Sequence, residues 1–382
     1  AFVVAPQGRL WNARLLPFYY LSLYLLAALG IAEVGRLLSL LFARDVMRPI
    51  RTITALTALF GLALGIGLVA MPLRVMPGGS LNASTGEYRW PNVDAPGLPF
   101  ISKESSFISS WAKWNYTGYE NKDAYPDYYG ITETMDGVGE TNGCGRAMWE
   151  HEEQHDRFGT PMALMLLPFW TDGCIGSMEG LYFEASSTTP YHFLNQDALS
   201  TGPSNAQRDL PYSPGAPTAE NFDLGIKHLQ MLGVRYYMAV SDGMKELGSE
   251  HPDLDEVATF GDWVVFQINK GNELVEPLTY QPAVLEGADA GGEAWLEPSV
   301  AWYQNPEAWD VRLAADGPSE WQRVSMGQAP GLQTLEPTEV SDIRTSESSI
   351  SFSVTNPGVP VLVKTSYFPN WKASGATGPW RV

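Results

Sequence analysis

The chain has 382 residues, with 43 acids against 24 Lys and Arg and a formal net charge of −19. That length allows two or three domains. A surface this acidic does not hold nucleic acid through its overall field, because phosphates require Lys and Arg, and two cysteines are too few for a disulfide scaffold.

Residues 1–74 differ from the rest. They carry seven Arg against only Glu33 and Asp45, so the acidity lies almost wholly beyond them. The sequence opens on Ala1 and closes on GPWRV directly after a strand-like run, and it reads as an internal piece of a longer protein.

Two stretches are long and apolar enough to span a bilayer. Residues 15–36 read LLPFYYLSLYLLAALGIAEVGR, with a first charge at Glu33; residues 52–73 read TITALTALFGLALGIGLVAMPL, with no charge at all. In the second, Gly61 and Gly65 form a small-xxx-small pair suited to close helix packing. Residues 44–51 between them hold Arg44, Arg48 and Arg51 against one acid, and short basic loops stay cytoplasmic. The expectation is a multi-pass protein of the cell membrane whose large remainder is extracytoplasmic.

Residues 76–130 are rich in Gly, Pro, Asn, Trp and Tyr and read as irregular packed loop and short helix. PMALMLLPFW (161–170) is an apolar run, and residues 180–200 read as a strand, a polar turn and a helix. Residues 204–221 resemble a linker. DLGIKHLQMLGVRYYMAV (223–240) reads as a helix stopped at Gly233 and then a strand, with a further helix near residues 243–248. VATFGDWVVFQI (257–268) is a hairpin through Gly261-Asp262. This alternation predicts an α/β domain over 75–276. After Pro277 short β-like runs are separated by Pro, Gly and Ser, including ISFSVT and VPVLVKTSY around an Asn-Pro-Gly turn. They predict a truncated β-sandwich-like domain over 277–382.

His151-Glu152-Glu153-Gln154-His155 spells H-E-x-x-H, the zinc-protease signature, and Glu179 is available as a third ligand. Residues 150–157 are continuously polar, however, and Gly159 and Pro161 end any helix within about a turn of His155. The expectation is a solvent-facing polar helix or loop that holds no metal. Asp253-Leu254-Asp255 has the D-x-D spacing of some sugar-nucleotide transferases but sits in SEHPDLDEV, a turn composition. No phosphate-loop, nucleophile-elbow or C-x-x-C motif occurs, and nothing calls for a cofactor. Asn82-Ala83-Ser84 and Asn115-Tyr116-Thr117 are glycosylation sequons. Cys144 and Cys174 are a candidate disulfide if their domain faces an oxidising compartment, although sequence does not bring them together.

The segments LWNARLLPFYYL, GTPMALMLLPFWTDGCIGSMEGLYFEASSTTPYHFLNQ, HLQMLGVRYYMAV and VLVKTSYFPNWKA together resemble the YfhO-like membrane proteins of the GT-C glycosyltransferase superfamily. They are most similar to an actinobacterial branch labelled as membrane proteins related to 6-pyruvoyl-tetrahydropterin synthase. The resemblance implies transfer of a sugar from a polyprenyl-phosphate donor to a glycan acceptor at the outer membrane face, with the catalytic carboxylate in a first outer loop that this chain does not contain. A lipid phosphate would need cations at the membrane surface, and Arg9 and Arg14 are placed for that. Trp170, Glu179, Glu184, Tyr191, His192 and Asn195 form the densest polar and aromatic segment and are the candidates for sugar and acceptor contacts. The rival reading is a non-catalytic extracytoplasmic module that binds glycan or protein during envelope assembly.

Overall fold

The computed structural model describes residues 16–42, 58–59, 61–62, 80–81, 88–89, 118–178, 189–201, 218–288, 293–346 and 348–382. The chain divides into two compact units, Ala1–Lys122 and Asp123–Val382.

In the first unit α1 (Leu16–Phe42) runs for 27 residues. At 1.5 Å per residue its length is about 40 Å, more than the ~30 Å hydrocarbon core of a bilayer. Its stretch Pro17–Val34 is long and apolar enough to cross a membrane, and none of it is buried within the protein. Phe18, Leu26 and Leu29 are each about two-thirds exposed. Of the second expected span only residues 58–59 and 61–62 are described, and they are helical. A Cβ on Gly61 would lie 2.7 Å from Cγ2 of Ile31, so the missing side chain is what lets the two helices approach there. Further on, β1 (Ser80–Leu81) pairs antiparallel with β2 (Tyr88–Arg89).

The second unit starts with α2 (Tyr125–Asn142), whose beginning falls in the stretch 76–130 expected to be irregular packed loop and short helix. It buries Tyr128, Ile131, Met135 and Val138, a three- and four-residue spacing that forms one apolar stripe. There follow β3 (Gly145–Trp149), β4 (Ile175–Ser177), α3 (Thr189–Ala198), α4 (Ala219–Met231), β5 (Val234–Ala239), α5 (Asp242–Glu250), β6 (Leu254–Phe260) and β7 (Trp263–Ile268). The five strands form one sheet in the order β4-β3-β5-β7-β6. β3 is parallel to both β4 and β5, whereas β7 is antiparallel to β5 and β6.

Local chemistry explains these elements. Thr218 caps α4 by accepting from the Asn221 amide. Gly233, at φ 66°, makes the left-handed turn into β5. Ser241 caps α5, and Gly261, at φ 55°, closes the β6–β7 hairpin. Phe222, Ile226 and Leu229 of α4 pack against Val234, Tyr237 and Phe266 of the sheet, all within 1 % of full burial. Each of these large side chains contributes about 1.5–3 kcal/mol when fully buried.

Residues 277–382 do not form a β-sandwich among the described residues. β8 (Val275–Pro277) pairs antiparallel with β14 (Val361–Val363), so no boundary falls at residue 277. β9 (Ala283–Leu285) lies between β10 (Leu313–Ala314) and β11 (Arg323–Val324), both parallel to it. β12 (Val340–Thr345) and β13 (Ile350–Val354) form a separate, largely exposed hairpin. Helix α6 (Glu293–Tyr303) contributes Trp295 to a small core with Leu285, Val311 and Val324. Strands of two or three residues carry too little apolar face to build two opposed sheets.

Candidate functional site

From β3 the chain moves to β4 on one side and then returns to β5 on the other. In an open α/β sheet, ligands bind at such a switch point, outside the carboxyl ends of the strands. Here that places Glu150, His151 and Glu152 after β3 opposite Val240 and Ser241 after β5. Ser200 and Thr201, just beyond α3, close the third side.

Glu150 is fully buried. Its Oε2 accepts from the Val240 amide at 2.7 Å and the Ser241 amide at 2.8 Å, and its Oε1 accepts from the Ser241 hydroxyl. The carboxylate therefore caps the N-terminus of α5, where backbone N–H groups and the helix dipole favour negative charge. The Thr201 hydroxyl lies 2.6 Å from Glu152 Oε1 and 3.3 Å from Glu150 Oε1, and its single proton serves one of them at a time. The His151 amide donates to Ser200 Oγ at 2.8 Å. This network ties three chain segments together and commits Glu150 to holding them.

The H-E-x-x-H segment is a correction to the expectation. Glu152 is extended and a 3₁₀ helix runs over Glu153–Phe158, so the two histidines do not share an α-helical face. They are also buried rather than solvent-facing, at 8 % and 3 % exposure. The His155 ring stacks on Trp263 at 4.9 Å and on Phe158 at 5.8 Å, and neither of its nitrogens has a hydrogen-bond partner. Burial, helped by the positive charges of His151 and Arg157, pushes its pKa down to about 4. His155 and Phe158 are three residues apart, one 3₁₀ turn, and so face the core together while Glu153, Gln154, Asp156 and Arg157 face out. That His-x-x-Phe spacing was the signal of burial. Among the described residues no three His, Cys, Asp or Glu side chains converge as a metal site would require.

The candidate sugar contacts do not form one platform. Trp170 donates from Nε1 to the Tyr128 hydroxyl at 2.9 Å and packs edge-on against Tyr128 and Tyr129 of α2. Tyr191 and Asn195 instead contact Tyr303 of α6. The Tyr303 hydroxyl donates to Asn195 Oδ1 at 2.9 Å, and the Tyr191 and Tyr303 rings are 4.7 Å apart. His192 is buried, with its ring against Phe193. Arg9, Arg14, Glu179 and Glu184 lie outside the described residues. Asp253 occupies the turn expected for it, held below the usual carboxylate range by hydrogen bonds from Lys270 and Gln230.

Cys144 and Cys174 form a disulfide. Each immediately precedes a strand, β3 and β4, and the Gly145 amide donates to the Cys174 carbonyl at 3.0 Å. The bond thus clamps the amino ends of two parallel strands, at the edge of the sheet opposite the carboxyl-end crevice.

Sequence reasoning missed a second opening, a cavity of about 240 Å³ between α4, the loop after β7, β8 and the segment after α6. Its lining includes Lys227, Gln230, Glu276, Trp309, Arg312 and Lys364. The Lys364 ammonium is buried and donates to the carbonyls of Gln230 at 3.1 Å and Gly271 at 2.8 Å, and it pairs with Glu276 at 2.7 Å. Lys227 and Lys364 lie far apart in sequence, and no spacing rule joins them.

No family model, curated protein or solved structure matches the chain.

Proposed function

We propose that this chain is the outer, ligand-binding part of a membrane-anchored protein of envelope glycan assembly, and that it binds without catalysing. The observation that carries this reading is the state of Glu150. It is the one fully buried carboxylate described at the switch-point crevice, and its oxygens already accept from two amides and a hydroxyl. A general base must reach a substrate proton within hydrogen-bond distance, and a carboxylate engaged in capping a helix does not. Two further observations support the location. The apolar α1 suits a membrane anchor, and a Cys144–Cys174 disulfide suits an oxidising compartment outside the cytoplasm.

A second reading rests on the sequence resemblance. The segments HLQMLGVRYYMAV and VLVKTSYFPNWKA, both part of the resemblance to GT-C transferases, meet where Lys364 donates to the Gln230 carbonyl. In that reading the protein transfers a sugar from a polyprenyl-phosphate donor, its base lies outside this chain, and the domain described here supplies acceptor contacts. Lipid-linked sugar pools and envelope glycans in a strain lacking the gene decide between the two. Altered glycans with normal transferase activity in membranes support the binding module; loss of that activity supports the transferase; no change in either refutes both. A cysteine at Gly317 should be labelled by an impermeant maleimide in intact cells and one at Val46 should not, and the reverse pattern refutes the outer placement.

A further inference from the structure

We infer that the cavity lined by Lys227, Gln230, Trp309 and Arg312 binds a small anionic saccharide, a single sugar ring bearing a phosphate or carboxylate. This deepens the binding reading above by naming its ligand class. The first argument is charge. The whole chain is at −19, yet this opening is lined by Lys227, Arg312 and Lys364 against Glu276, and even with Asp223, which pairs with Lys227 from outside the lining, three cations face two carboxylates. A cavity whose sign opposes that of its protein concentrates anions that the remaining surface repels.

The cations are not equally available. Lys364 is occupied by two carbonyls and Glu276 and so supplies fixed charge rather than a donor. Arg312 is held by Trp302, with its guanidinium carbon 5.2 Å from the ring centre, and meets Glu276 only at 3.6 Å, beyond hydrogen-bond length. A guanidinium carries five donors in a planar fork suited to two oxygens of one oxyanion. Burial lowers its pKa from the ordinary arginine range, a desolvation cost that a bound anion would relieve. Lys227 reaches the rim and pairs with Asp223 in a half-exposed contact, of the weak class that a ligand readily displaces.

The saccharide half of the inference comes from Trp309 and from size. The Trp309 indole N–H points at the carbonyls of Trp302 and Tyr303, each 3.1 Å away, so the ring is locked before any ligand arrives. Trp309 thus lines the cavity as a fixed aromatic ring on which a sugar can stack, whereas Gln230 Nε2 already donates to Asp253 Oδ2 at 3.0 Å. A volume of about 240 Å³, just below the ~300–1,000 Å³ of drug-sized sites, is enough to seat one sugar ring.

The test is calorimetric titration of the full chain in detergent micelles with four probes: glucose 1-phosphate, glucuronate, inorganic phosphate and glucose. The inference expects saturable binding of glucose 1-phosphate, of glucuronate, or of both, whichever oxyanion the fork accepts. Glucose and inorganic phosphate should bind at least about tenfold more weakly. Arg312→Gln should weaken the anionic sugar about tenfold or more. Lys227→Gln, at the exposed rim, should weaken it a few-fold and serves as the second variant if Arg312→Gln does not fold. Trp309→Phe should bring glucose 1-phosphate toward the affinity of phosphate alone. Equal binding of glucose overturns the anion claim, and equal binding of phosphate overturns the saccharide claim. Wild-type affinity in both charge variants overturns the site. If no probe binds, the inference falls while the gene-deletion comparison still decides the broader reading.

Discussion

Replacing His155 by Phe should make the second unit less sensitive to acid. In the folded chain the imidazole lies 3 % exposed between Trp263 and Phe158, without a partner for either nitrogen, and its pKa is pushed down to about 4 from 6.5. A base whose folded pKa lies below its unfolded value has its full stability above the unfolded pKa. It loses that stability as pH falls from 6.5 toward 4, because the unfolded chain takes the proton first. A gap of 2.5 units corresponds to about 3.4 kcal/mol at its limit, of which about 2 kcal/mol is lost by about pH 5. His228 and Asp197 also titrate abnormally, at about 4 and about 6, each through burial. Both remain in the variant, so they cancel in the comparison. Phe keeps the aromatic stack and removes the titration. Its cost or gain at neutral pH depends on how the larger ring packs, but the change in that difference with pH does not. Urea unfolding in detergent, followed by near-ultraviolet circular dichroism, should therefore show the variant gaining about 2 kcal/mol on the native chain between about pH 7.5 and pH 5. A gain independent of pH, or a His155 resonance titrating near 6.5, would refute the burial argument.

Three further outcomes follow from the packing. Replacing Cys144 and Cys174 by Ser should cost about 3–4 kcal/mol, because the bond closes a loop of 30 residues in the unfolded chain; the urea midpoint with and without reductant measures it, and two free thiols in a non-reducing peptide map would negate it. Glu150→Ala should cost about 2–4 kcal/mol, since it strands the amides of Val240 and Ser241 at the start of α5, and Glu150→Gln should recover part of that loss in thermal melts. Gly248→Ala should destabilise by about 1–3 kcal/mol despite the better helix former, because its Cβ would stand 2.6 Å from the Phe266 ring; a raised Tm would show that the ring yields.

The elements legible from the sequence were those specified by neighbours along the chain. The helix and strand of residues 223–240 were marked by three- and four-residue apolar spacing and by Gly233, which takes the left-handed conformation at their junction. The β6–β7 hairpin was marked by Gly261-Asp262, and the apolar length of α1 needed no partner to be seen. Tertiary contacts decided the rest. The five residues GRAMW carry no alternation, yet as β3 they take a central place because β4 and β5, from distant parts of the chain, cover both edges. The polar letters of HEEQH hid a buried histidine, because the slot that accepts it is made by Trp263 of β7. Pairing of β8 with β14 tied the last hundred residues to the α/β unit in place of a separate sandwich. The disulfide and the basic cavity belong to the same class. Caps, turns and helical stripes are fixed by atoms a few residues apart, whereas burial, strand neighbours and converging charges depend on which distant segments pack together.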